Sequence, residues 1–75
     1  MGWSRYKELQ QWLVRIGVRR NIVESARMRD TLGALRCGTV KALRRMHWRE
    51  VESGLCDAMQ LNTTYRTLLR AKWRA

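Results

Sequence analysis

Positively charged side chains recur at four-residue intervals in the middle of this sequence, and this spacing suits phosphate binding. Lys41, Arg45 and Arg49 are successive i, i+4 neighbours, so they share one face of a helix. Arg44 precedes Trp48 by the same spacing, and an indole ring can stack on a base or contact a guanidinium group. Cations four residues apart repel each other by roughly 0.2–0.5 kcal/mol per pair, and an anionic partner would reverse that effect. The pattern predicts a phosphate-binding face; the alternative is a solvated basic face with a nearby glutamate as counter-ion.

A second basic stripe lies near the end of the sequence. Arg66, Arg70 and Arg74 repeat every four residues beside an apolar stripe. Cations near a helix C-terminus also stabilise the helix dipole, which is a sufficient structural reason for some of them. The whole chain carries a net charge of +10, and thirteen of its sixteen cations are arginine. This balance favours a polyanionic partner, either nucleic acid or an anionic membrane surface.

The other residue types that could support chemistry do not form a catalytic pattern, so we do not expect an enzyme. His47 is the single histidine and lies among apolar residues, which predicts a core or interface position. Glu50 and Glu52 are two residues apart and point to different sides of a helix. Cys37 and Cys56 lack zinc-site spacing, so we expect two buried free thiols, no metal and no cofactor. An arginine-lined pocket between helices could still bind a small dianion.

The basic residues of the middle segment are expected to be positioned by one amphipathic helix, Thr39–Leu55. Thr39 is the predicted N-cap, and a break or kink is expected at Ser53–Gly54. Trp48 falls at the edge between the two faces. The apolar face consists of Val40, Leu43, Met46, His47 and Val51.

Helical periodicity is the dominant pattern in the rest of the chain, so we predict an all-α fold. The first helix spans Ser4–Ile16, with Ser4 as N-cap and Gly17 as its left-handed end. Asn21 and Glu24 form a predicted capping box for a second helix that ends near Thr31 or Leu32. A connection bracketed by Gly33 and Gly38 follows, and Asn62–Thr63–Thr64 begins the last helix, whose apolar stripe is Tyr65, Leu68, Leu69 and Trp73.

The predicted architecture is a single domain over residues 1–75, a small bundle of four or five short helices. Its predicted core comprises Trp12, Leu13, Leu43, Val51, Leu68 and Trp73. A core this small is marginal, and four tryptophans are spread along the chain, so homo-oligomerisation is expected. A self-assembling or protein-interaction module is therefore the alternative function. A membrane-surface helix with Trp3, Trp12 and Trp73 at the headgroups is a less favoured alternative.

No apolar run is long enough to span a bilayer, and the N-terminus lacks the apolar segment of a signal peptide. We therefore expect an intracellular protein, located in the cytoplasm, the nucleoid or the nucleus.

Residues 25–55 resemble helix-turn-helix DNA-binding domains. SARMRDTLG corresponds to the first helix of that motif, ALRC to the turn region, and GTVKALRRM to the start of the recognition helix. The resemblance implies that Thr39 and Lys41 touch bases in the major groove, while Arg44 and Arg45 anchor the backbone. The predicted partner is thus DNA or RNA, and the predicted nucleic-acid-binding residues are Thr39, Lys41, Arg44, Arg45, Trp48, Arg49, Arg66, Arg70 and Arg74.

Overall fold

The computed structural model describes the backbone of residues 3–74 and the side chains of residues 5–74. The helices are α1 (Trp3–Ile16), α2 (Arg20–Val23), α3 (Ala26–Leu35), α4 (Val40–Arg45), α5 (Trp48–Val51) and α6 (Thr63–Trp73), and a π-helix (Glu52–Asp57) continues α5. The described residues form no strand, so the all-α prediction is confirmed. The N-cap role predicted for the Ser4 side chain lies outside the described residues.

Helix α1 ends as its sequence predicts. Gly17 has φ +117°, a left-handed conformation that glycine adopts without a Cβ clash. The Val18 N–H donates to the Leu13 carbonyl and the Gly17 N–H donates to the Val14 carbonyl, both at 3.0 Å. These two hydrogen bonds form a Schellman motif, which satisfies carbonyls that the last turn would otherwise leave free.

The predicted second helix is wrong as a single element, because the chain breaks it at Ser25. Ser25 Oγ accepts a hydrogen bond from the Met28 N–H at 3.1 Å and caps α3. Asn21 lies inside the one-turn helix α2 and does not cap it, while Glu24 pairs with Arg20. The break resets the helical phase, so Met28, which lies off the apolar face of one continuous helix, is fully buried.

Helix α3 extends through part of the connection predicted between the glycines. Gly33 is helical, and the helix ends only after Leu35. Arg36 then takes the left-handed conformation with φ 55°, and the Cys37 N–H donates to the Leu32 carbonyl at 3.1 Å. The helix therefore ends in a Schellman motif built on an arginine, which pattern rules that seek glycine do not detect.

Gly38 permits a close approach between the connection after α3 and the backbone of α1. A Cβ placed there would lie 2.3 Å from the carbonyl oxygen of Arg5 in α1. Two residues later, the Val40 N–H donates to Glu8 Oε2 at 2.8 Å, so α1 also caps α4. The start of α4 is thereby fixed against α1.

The predicted continuous helix Thr39–Leu55 is interrupted at Met46 and His47, which have extended backbone. His47 caps α5: its Nδ1 accepts from the Arg49 N–H at 3.2 Å, and the Glu50 side chain accepts from the His47 N–H at 3.0 Å. This reciprocal capping box satisfies N–H groups at a new helix start. His47 is exposed, so the predicted core position is wrong, while the alternative position at an interface stays a prediction.

The starts of α4 and α6 agree with the boundaries predicted from the sequence. Thr39 caps α4 as predicted, accepting from the Ala42 N–H at 3.0 Å, and Asn62 caps α6, accepting from the Tyr65 N–H at 2.8 Å. The break or kink expected at Ser53–Gly54 is instead a π-helix that passes through both residues.

The core lies where α1, α3, α4, α6 and the π-helix meet. Of the six predicted core residues, Leu13, Leu43, Val51 and Trp73 are buried, whereas Trp12 and Leu68 are half-buried. Cys37 and Cys56 are buried free thiols, as predicted. Among the described residues, no helix combines the length and the apolar character needed to cross a bilayer.

Candidate nucleic-acid interface

Two tryptophans form the centre of a cluster that also contains arginines from two helices. Trp48, at the start of α5, and Trp73, at the end of α6, have ring centroids 5.4 Å apart and ring planes inclined at 53°. The Trp73 Nε1–H donates to the Leu43 carbonyl at 2.7 Å, which gives the buried indole N–H its partner. The pair therefore ties the end of α4 to α5 and α6.

Three arginines surround this pair. The Arg70 Cζ lies 5.4 Å from the Trp48 ring centroid, and the Arg74 Cζ lies 4.3 Å from that of Trp73. Arg44 Nε donates to the Trp73 carbonyl at 3.1 Å. We call these five residues the Arg–Trp cluster. A guanidinium group that contacts a ring through its face keeps N–H donors along its edges, in the plane where phosphate oxygens bind.

The carboxylates of the chain are mostly used elsewhere. The described residues form two ion pairs, Arg20 with Glu24 and Arg66 with Asp57, and neither includes Arg70 or Arg74. Two further glutamates accept hydrogen bonds from backbone N–H groups at the starts of α4 and α5. The positive charge of Arg70 and Arg74 is thus not balanced by any ion pair among the described side chains.

Arg66 differs from the other members of its predicted stripe. Its Nη1 donates to Asp57, its Nε to the Leu61 carbonyl at 2.8 Å and its Nη2 to the Cys56 carbonyl at 3.3 Å. The hydrogen bond to Asp57 raises the pKa of the Arg66 guanidinium above its ordinary value. These bonds hold the end of the π-helix onto the first turn of α6, which gives Arg66 a structural role.

The predicted edge position of Trp48 is wrong. Its side chain is 9% exposed, and its ring is contacted by both Trp73 and Arg70. A ring in this position does not offer a face on which a base could stack. Trp73 is 7% exposed, so it is likewise not presented for insertion at a membrane surface.

The basic residues of α4 and α5 are exposed, but they do not form the single stripe that was predicted. Lys41 and Arg45 share α4, whereas the extended backbone at Met46 and His47 separates them from Arg49. Lys41 and Arg45 are therefore neighbours on one helix face, whereas Arg45 and Arg49 are not. The hydroxyl of Thr39, a predicted base contact, accepts the capping hydrogen bond of α4.

The thiols and carboxylates do not suggest a second type of chemistry. Burial raises the pKa of the Cys56 thiol to about 11, and burial also raises that of Cys37. Both thiols are therefore protonated, and poorly nucleophilic, near neutral pH. The described residues contain no group of three or more His, Cys, Asp or Glu that could hold a metal ion.

Sequence patterns did not reveal how the cluster is assembled. Trp48 and Arg70 are separated by more than twenty residues, and a one-dimensional periodicity carries no signal for such a contact. The spacing of Arg70, Trp73 and Arg74 near a helix end is the part that sequence could have indicated. Comparison with protein-family models, curated proteins and solved structures finds no match to this chain, so the functional argument rests on the geometry described above.

Proposed function

We propose that the protein binds nucleic acid through the phosphate backbone, with Arg70 and Arg74 as its principal contacts. The observation that supports this proposal is the placement of two exposed guanidinium groups over buried indole rings. Neither group takes part in an ion pair among the described residues, in a chain of net charge +10. Lys41, Arg45 and Arg49 are exposed and extend the basic surface.

An arginine held against an aromatic ring suits phosphate for two reasons. Its planar fork donates two parallel N–H bonds to one phosphate group, which a lysine ammonium group does not do. Contact with the ring also restricts its rotamers before binding, so less side-chain entropy is lost on contact. Because the indole faces are covered, bases are not expected to stack on them. The predicted binding therefore depends on backbone charge, and both DNA and RNA are suitable partners.

The helix-turn-helix resemblance gives a more specific version of the same proposal. In that version α4 enters the major groove, with Thr39 and Lys41 at bases and Arg44 and Arg45 at the backbone. Because the Thr39 hydroxyl caps the helix, Lys41 would carry the base contact. Substitution of Lys41 by alanine would then change the ratio of affinities between duplex sequences, whereas a backbone contact would weaken all duplexes alike.

The direct test is the salt dependence of binding, measured by fluorescence anisotropy with labelled duplex DNA and single-stranded RNA. Each phosphate contact contributes about −0.9 to the slope of log affinity against log salt on duplex DNA. The double variant Arg70→Gln/Arg74→Gln is expected to reduce the magnitude of that slope by about 1.8. The matched control is Arg5→Gln/Arg27→Gln, which removes two exposed charges outside the Arg–Trp cluster.

Three results would overturn the proposal. The first is binding that does not respond to salt, and the second is no binding at low ionic strength. The third is an equal reduction of slope in both double variants, because net charge alone would then explain the affinity.

A further inference from the structure

A cleft of about 750 Å³ opens between α1 and α2, away from the residues of the Arg–Trp cluster. Lys7, Gln10, Val14 and Arg15 line it from α1, and Arg20 and Val23 line it from α2. Its volume lies within the range of roughly 300–1,000 Å³ that is typical of small-molecule sites. Its walls combine cationic, amide and apolar side chains.

Gln10 is the unusual residue of this cleft. Its side chain is 2% exposed, and its Nε2 donates to the Val23 carbonyl at 2.9 Å. Because a carbonyl can only accept, this bond fixes which end of the amide faces α2. The opposite end, Oε1, is buried and accepts no hydrogen bond within the described structure. Buried acceptors are nearly always partnered, so this oxygen calls for an N–H or O–H donor.

The charges of the cleft favour an anion. Lys7, Arg15 and Arg20 are exposed at its rim, and Glu24 is the one acidic residue that lines it. Glu24 Oε2 lies 3.2 Å from Arg20 Nη1, so the charge of Glu24 is balanced by Arg20. Lys7 and Arg15 lie about two turns apart on α1 and take part in no ion pair among the described residues. This leaves a site that attracts a small dianion.

We propose that the α1–α2 cleft binds a nucleoside monophosphate. The phosphate dianion lies between Lys7 and Arg15, and the flat base packs against the half-buried Val14. An N–H group of the base donates to Gln10 Oε1, with a small adjustment of the wall that covers this oxygen. The cleft shares no residue with the Arg–Trp cluster, so this site and the proposed polynucleotide interface can fail independently.

Isothermal titration calorimetry of the whole chain at low salt tests the site with adenosine 5′-monophosphate as probe. Adenosine and inorganic phosphate are measured separately, because each contains only one part of the nucleotide. We expect saturable one-to-one binding of the nucleotide and at least about tenfold weaker binding of either part. The analogue with two methyl groups on the exocyclic amine has no N–H on its base, and it is expected to bind about tenfold more weakly.

Variants of the cleft locate the site. Lys7→Gln/Arg15→Gln is expected to weaken nucleotide binding by about five- to twentyfold, because two exposed ion pairs are lost. Arg5→Gln/Arg27→Gln removes the same charge from outside the cleft and is expected to leave the affinity within about twofold. Thermal unfolding of each variant confirms that the fold is retained.

The proposal is overturned if inorganic phosphate binds as tightly as the nucleotide, because only charge would then be recognised. It is also overturned if the dimethylated analogue binds as well as the parent, or if both double variants weaken binding equally. An absence of saturable binding refutes it outright. None of these outcomes depends on the salt slope of polynucleotide binding, so failure of the cleft proposal is distinct from failure of the proposed function.

Discussion

Replacement of Gly38 by alanine gives a sharp test of how α1 positions α4. The new Cβ would lie 2.3 Å from the Arg5 carbonyl oxygen, and Cβ contacts under 3.0 Å essentially never occur. The obstructing atom belongs to the α1 backbone, so no side-chain rotation can relieve the contact. Helix α1 and the segment that contains Gly38 must move apart by at least about 0.7 Å. Such overpacking lowers the free energy of unfolding by about 1–3 kcal/mol.

The same separation weakens the bond from the Val40 N–H to Glu8, 2.8 Å long, which adds about 1 kcal/mol. The total, about 2–4 kcal/mol, is a large part of the stability of a domain of this size. A change of 1 kcal/mol shifts the melting temperature of such a domain by about 4–8 °C. Circular dichroism at 222 nm should therefore show Gly38→Ala melting at least about 8 °C below the parent.

Gly33→Ala is the matched control for this prediction. A Cβ at Gly33 would meet the hydroxyl of Tyr6 at 3.3 Å, which is the far end of a side chain that can move. Position 33 is helical, so alanine also gains up to about 1 kcal/mol of helix propensity. The reasoning fails if Gly38→Ala melts within about 2 °C of the parent. It also fails if the melting temperature falls as much in Gly33→Ala as in Gly38→Ala.

Four further predictions address other elements. Ser25→Ala should cost about 1 kcal/mol in chemical unfolding because it removes the cap of α3, whereas Asn21→Ala, which caps nothing, should change little. Arg36→Gly should raise the urea midpoint by about 0.5–1 M, because glycine adopts the left-handed conformation of position 36 without the steric strain of a Cβ. Arg27→Gly is the control, and it should lower the midpoint because position 27 lies inside α3. Burial raises the pKa of Cys56 from 9.0 to about 11, so the protonated thiol stabilises the fold below pH 9. That contribution should disappear as the pH rises from 9 to about 11. In urea titrations over this pH range, the free energy of unfolding of Cys56→Ala should therefore fall less than that of the parent. Homo-oligomerisation is a prediction of the sequence, and sedimentation velocity should show a species heavier than the 9.0 kDa chain; a monomer at all concentrations would contradict it.

Local chemistry was the predictable part of the fold. Gly17, Thr39 and Asn62 mark helix boundaries through interactions within a few residues, and sequence alone identified all three. Asn21 was misread because Ser25, four residues later, forms the cap that the chain uses. Asn21 and Ser25 are both residue types that cap helices, and the helix that begins after Ser25 buries Met28 in the core.

The breaks in the central segment were less predictable. Periodicity treated Thr39–Leu55 as one helix because the apolar residues recur in phase across it. The structure instead begins α5 after His47, whose ring nitrogen takes the place of the usual serine or aspartate oxygen at an N-cap. Histidine is an uncommon cap, so neither the break nor the burial of Trp48 followed from residue types. The number of arginines in the region is read directly from the sequence, whereas the partner of each arginine depends on contacts between distant parts of the chain.

The shortness of the helices has a consequence for how the protein can work. The longest, α1, has 14 residues, and helices below about 12–15 residues are marginal in water on their own. Each helix is therefore maintained by its neighbours, and the chain should gain or lose its helical structure in one cooperative step. An excised peptide carrying Arg70 and Arg74 would be largely unstructured and would lack the indole of Trp48. The spatial arrangement of the arginines is thus a property of the intact domain, and conditions that unfold it would abolish that arrangement at the same time.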